Sequence, residues 1–107
     1  MRIGCCAYSY RDALTSGSMT LEQFLDAAVA MNLDGVELTT YYLKQADRDY
    51  LNRIKRECFR RGLHISGTAV GSNFFQAEPA KRREHVQMTK QWIDCSVLLG
   101  APCIRVF

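Results

Sequence analysis

Two charged residues stand where charge is costly. Glu37 lies between Val36 and Leu38, and Arg105 lies between Ile104 and Val106, each inside a short apolar run. A carboxylate placed there needs a partner or water, and pairing between Glu37 and Arg105 is the expectation. Tyr8, Thr39, Thr68 and Asn73 fall at the ends of similar runs and supply a ring, two hydroxyls and an amide. Such a set suits hydrogen bonding to a hydroxyl-bearing ligand, with the Tyr8 ring presented to that ligand, forming a pocket wall or packing in the core. The turn Gly71-Ser72-Asn73 can offer backbone N–H groups to a hydroxyl or phosphate, although these residues are also common in ordinary turns.

Other reactive residues form no site. The five cysteines (Cys5, Cys6, Cys58, Cys95 and Cys103) include no C-x-x-C pair and none followed by a histidine at zinc-ligand spacing. They sit in apolar segments, where a free thiol behaves as a small hydrophobe. That usage fits a reducing compartment. His64 opens a strand at the end away from the expected site, and His85 sits among Lys81, Arg82, Arg83 and Glu84 on a solvated helix face. The basic runs Arg53-Ile54-Lys55-Arg56 and Arg60-Arg61 read as outer helix faces rather than a nucleic-acid surface.

Composition sets the frame. The 107 residues are 48% hydrophobic and 23% charged, an ordinary globular balance. Fourteen basic against 11 acidic residues leave a net charge of +3, too small and scattered to argue for a nucleic-acid partner. No segment reaches the ~20 apolar residues of a membrane span, and Met1 to Cys6 lacks the apolar run of a signal peptide. A cytoplasmic location is the default, and one domain over residues 1–107 the expectation.

The elements that must position these residues alternate in type. Strands are expected over Arg2–Tyr8, Gly35–Thr39, His64–Val70 and Cys103–Phe107. The first helix opens at Thr20, where Thr20-Leu21-Glu22-Gln23 fits a capping box, and Leu21, Phe24, Leu25, Ala28 and Val29 make one stripe before Asn32 closes it. The second starts near Asp47 and stops at Gly62. The third begins at Pro79 and runs to Gly100, with Trp92 covering core.

This β-α-β-α-β-α-β order implies parallel strands joined by right-handed crossovers. Polar residues alternate with apolar ones in the second and fourth strands, whereas central strands of an open α/β sheet are apolar on both faces. No G-x-G-x-x-G follows the first strand, as a dinucleotide-binding fold would require. The expected fold class is therefore α/β, a partial (β/α)8 TIM barrel with about four parallel strands and three helices. Alternation assigns Cys6, Tyr8, Glu37, Thr39, Ser66, Thr68, Arg105 and Phe107 to the inner face. A closed barrel usually takes about 250 residues, so the expected partner is a missing C-terminal half or a second copy in a homodimer.

Four segments in order carry a resemblance: Ile3-Gly4-Cys5-Cys6-Ala7-Tyr8-Ser9, Leu33-Asp34-Gly35-Val36-Glu37-Leu38, Gly62-Leu63-His64-Ile65-Ser66-Gly67, and Leu99-Gly100-Ala101-Pro102-Cys103-Ile104-Arg105-Val106-Phe107. Together they resemble the N-terminal half of the sugar phosphate isomerase/epimerase family, the xylose-isomerase-like barrels. The resemblance implies a divalent metal (Mn, Mg, Co or Zn) in the complete domain and a sugar, sugar phosphate or polyol substrate. It also implies isomerisation or epimerisation by proton transfer beside a carbonyl through an enediolate, or dehydration of a related polyol. It places the metal ligands on strands five to eight, so no metal ligand and no catalytic residue is assigned to this chain, which alone would be inactive. Two other readings remain. One is a non-catalytic, ligand-binding or self-associating half-barrel. The other is the apurinic-endonuclease branch, against which stands the lack of histidines on the early strand ends.

Overall fold

The computed structural model describes residues 1–107. Four strands, β1 (Gly4–Cys6), β2 (Gly35–Thr39), β3 (His64–Ala69) and β4 (Ile104–Arg105), form one parallel sheet in the order β1-β2-β3-β4. Four helices accompany them: α1 (Arg11–Ser16), α2 (Leu21–Ala30), α3 (Arg48–Arg60) and α4 (Pro79–Leu99). Short 3₁₀ turns occupy Ala7–Tyr10 and Thr40–Tyr42. This is a partial TIM barrel, α/β with sequential parallel strands. No helix is long and apolar enough to cross a membrane.

Local signals explain most boundaries. Thr20 accepts from the Gln23 N–H at 3.2 Å while the Gln23 side chain accepts from the Thr20 N–H at 2.8 Å, a complete capping box. Asp47 caps α3 by accepting from the Tyr50 N–H at 3.0 Å. Pro79 begins α4, and Gly100, in the left-handed region at φ 77°, ends it.

The first connection departs from expectation. The strand stops at Cys6, two residues early, and the chain coils through a 3₁₀ turn into α1, a fourth helix where a loop was expected. Six residues are too few to show a periodic stripe. Only Leu14 of α1 packs on the core, and Gly17 at φ 76° stops the helix. Strand four is likewise shorter than expected, being paired on one side only.

The core lies between the sheet and the helices. Phe24, Leu25 and Ala28 of α2, Val36 and Leu38 of β2, and Leu51 and Ile54 of α3 have no exposed surface. Trp92 packs partly buried against it, as expected. Burying side chains of this size contributes roughly 1.5–3 kcal/mol each. Arg61 ties α2 to α3 through Asp26 at 2.7 Å and Glu57.

A bulge in β3 matters most for function. Val36 pairs with Ile65, but Glu37 pairs with Gly67, so Ser66 is an extra residue without a partner in β2. Beyond it the alternation of β3 is reversed. Thr68 shares a register position with Leu38 and Ile104, and Ala69 one with Thr39 and Arg105. Thr68 therefore faces the helices, not the barrel interior. Its Oγ1 lies 2.6 Å from Ser96 Oγ on α4, and the residue is fully buried. Its expected place on the inner face is corrected accordingly, and Ser66 is the exposed bulge residue rather than part of a lining.

Candidate functional site

The inner face is organised by the pair expected from sequence. Arg105 Nε donates to Glu37 Oε1 at 3.0 Å and its NH2 to Oε2 at 2.9 Å, a two-pronged contact between β4 and β2. The two residues come from alternate strands and share one layer across the sheet. The remaining NH2 hydrogen points to Cys6 Sγ at 3.5 Å, and the guanidinium stands 5.0 Å from the Phe107 ring centroid. The Arg105 hydrogen bond holds the Glu37 carboxyl below the usual glutamate range, against an opposing effect of burial. Burial pushes the Cys6 thiol up, with the neighbouring carboxylate adding to it. Cys6 also lies 3.7 Å from Thr39 Oγ1.

Above this pair, at the C-terminal strand ends, is a cavity of about 390 Å³ lined by Tyr8, Thr39, Tyr41, Ala69, Gly71, Ser72, Asn73, Arg105 and Phe107. Barrel sites occupy this end, and the volume is at the lower end of the about 300–1,000 Å³ of small-molecule sites. Tyr8, Thr39, Asn73 and Arg105, all expected at the site, come together here, and Glu37 holds Arg105 from below. Thr68 does not join them. A larger hollow of about 480 Å³ lies between α1 and the connection from β2 to α3. Of its three charged members, Arg53 and Glu22 pair with each other at 3.4 Å and Lys44 remains, but no strand residue lines it, so the inner cavity at the strand ends is the better site.

The loop after β3 does not form a backbone cradle at Ser72 and Asn73. The Ser72 N–H donates to Val70 O at 2.9 Å, and the Asn73 N–H donates to His85 Nδ1 at 3.3 Å. Neither is free for a ligand. Asn73 Oδ1 accepts from the Phe75 N–H at 3.0 Å, and Ser72 Oγ accepts from the Phe107 N–H at 3.2 Å. His85 is thus half-buried and anchors this loop to α4, where a solvated face was expected. Tyr41 escaped the sequence reading. Its signal was its place two residues beyond β2, on the end where sites gather.

The arrangement can bind and orient. Arg105 NH1 has no protein partner within hydrogen-bonding distance and offers two donors to a carbonyl, carboxylate or hydroxyl oxygen. The rings of Tyr8, Tyr41 and Phe107 offer apolar walls. Glu37, with both oxygens engaged, is poorly placed to move protons. No three His, Cys, Asp or Glu side chains gather as a metal cluster. The residues of this chain therefore do not by themselves fit a divalent metal.

Comparison with known proteins bears on the fold. No protein-family model and no curated protein matches the sequence. The structure is similar to that of protein SMc04130 from Sinorhizobium meliloti 1021, with TM-score 0.73 and 14% identity, covering 97% of this chain and 35% of that one. It is also similar to AsbF, the probable 3-DHS dehydratase involved in petrobactin synthesis from Bacillus anthracis, with TM-score 0.76 and 16% identity, covering 100% of this chain and 38% of that one. The chain thus spans little more than a third of these structures' length. At such identities the likeness establishes architecture: the chain has the fold of three consecutive β/α units and a fourth strand of a TIM barrel.

Proposed function

We propose that this chain supplies the binding and orienting half of a barrel site for a sugar, sugar phosphate or related polyol. The reaction would be an isomerisation, an epimerisation or, as the name of the AsbF structure prompts, a dehydration. All three can proceed by proton transfer beside a carbonyl. The carrying observation is Arg105, held by Glu37 and stacked near Phe107, with NH1 left without a protein partner and its side chain lining an aromatic-walled cavity at the strand ends. In this reading Arg105 holds a substrate oxygen, Thr39 and Tyr8 contact hydroxyls or ring faces, and Glu37 positions Arg105. The proton-transferring groups and the divalent metal that the family resemblance implies belong to further β/α units outside this chain.

Ligand-observed saturation-transfer NMR with D-xylose as probe tests the binding role. The expected result is weak binding by the wild-type chain, with Kd on the order of millimolar. Arg105→Met should weaken it by about tenfold, the loss of one good charge-assisted hydrogen bond. No transfer to wild-type protein, or equal transfer to the variant, would refute the assignment.

A further inference from the structure

Tyr41 and Gly71 meet across the mouth of the cavity. Tyr41 sits in the 3₁₀ turn after β2, 59% exposed, with its ring edge-on to Tyr42 at 6.2 Å. Its hydroxyl end reaches over Gly71, beyond β3, so closely that a Cβ built on Gly71 would overlap the hydroxyl and the ring edge. Gly71 does not have the positive φ found at Gly17, Gly62 and Gly100. Its lack of a side chain is needed for space rather than for backbone conformation. Both residues line the same cavity. A ring that bridges two strand ends narrows the space between them, and a glycine there leaves room for its hydroxyl end.

We propose that Tyr41, seated on Gly71, sets the width of the cavity and restricts it to single-ring or open-chain ligands; this rests on the sugar-binding reading above. Tyr41 is a specificity residue and Gly71 is its positioning residue. An alanine at Gly71 meets the far end of a flexible side chain, so the ring swings away and the backbone stays. Gly71→Ala and Tyr41→Ala should then have the same consequence by different routes. A residue that merely stabilised the fold would not yield that convergence.

The test compares wild-type, Tyr41→Ala and Gly71→Ala proteins by saturation-transfer NMR with D-xylose and with the disaccharide maltose. Wild-type protein should bind D-xylose and reject maltose. Both variants should gain maltose binding by at least about tenfold, within the range a pocket wall can discriminate, while D-xylose, deprived of one wall of its site, should bind more weakly by a similar small factor in both. The aromatic ¹H–¹³C signals of Tyr41 should shift in Gly71→Ala whatever the ligand. Unshifted Tyr41 signals overturn the seating of Tyr41 on Gly71. Parallel changes for both sugars, or maltose binding to the wild type, overturn the size filter. Absence of D-xylose binding to all three proteins, with Tyr41 shifting as expected, sinks the sugar-binding reading and the filter with it, but leaves the ring's seat on Gly71 established.

Discussion

Removing either partner of the Glu37–Arg105 pair should weaken the fold by an amount that the geometry bounds. An exposed ion pair contributes ~0.2–1 kcal/mol, and a hydrogen bond to a charged group ~1.5–3 kcal/mol when water is excluded. Here the side chains are 22% and 47% exposed, and two bonds of 3.0 and 2.9 Å form a fork. Arginine's exposure places the value near the surface end, so a coupling of about 1 kcal/mol is expected. The assay is a double-mutant cycle of Glu37→Gln, Arg105→Met and the double variant, followed by urea unfolding at pH 7. Its pH dependence follows from the sign of the Glu37 shift. The folded carboxyl titrates below its unfolded value. The stabilisation is therefore fully present above about pH 4.3 and is lost as pH falls through the lower, folded value. A coupling within about 0.3 kcal/mol of zero, or one that survives strong acid, would refute the view that this pair braces the inner face.

Three further outcomes follow from individual contacts. Thr68→Val should cost about 1 kcal/mol in urea unfolding by removing the bond to Ser96, whose hydroxyl keeps its 2.6 Å bond to Trp92 O. Because Thr68 faces the helices, the same variant should leave D-xylose binding intact; a loss of binding would return it to the inner face. Thr20→Ala should also cost about 1 kcal/mol, since it breaks the capping box of α2, and thermal unfolding measures it. In native protein, iodoacetamide should modify exposed Cys103 first and Cys58 last, because burial pushes the Cys58 thiol up to about 11; mass spectrometry of timed samples gives the order.

Sequence exposed the frame better than the inner surface. β2 was bounded at Gly35 and Thr39, and the caps at Thr20, Asp47, Pro79 and Gly100 marked helix ends, because capping is chemistry between near neighbours in the chain. The Glu37–Arg105 pair was also legible, since both charges interrupt apolar strands. Thr68 was misplaced because strand alternation was carried through the bulge at Ser66, and one extra residue turns every later side chain over. Gly67 was the available clue, because glycine within a strand often marks a bulge or a close approach. An ideal Cβ there would lie 2.9 Å from Cys103 Sγ. The Tyr41–Gly71 contact joins residues 30 positions apart through a ring and an absence of side chain, and no local pattern announces it.

The central claim, that the strand ends around Arg105 hold a polyol, is tested most directly by mapping D-xylose onto the chain. The experiment is a titration of ¹⁵N-labelled protein followed by backbone amide shifts. Thr39, Tyr41, Gly71, Asn73, Arg105 and Phe107 should move together with one dissociation constant. Shifts confined to the hollow beside Tyr50 and Arg53, or no saturable shifts, would contradict it.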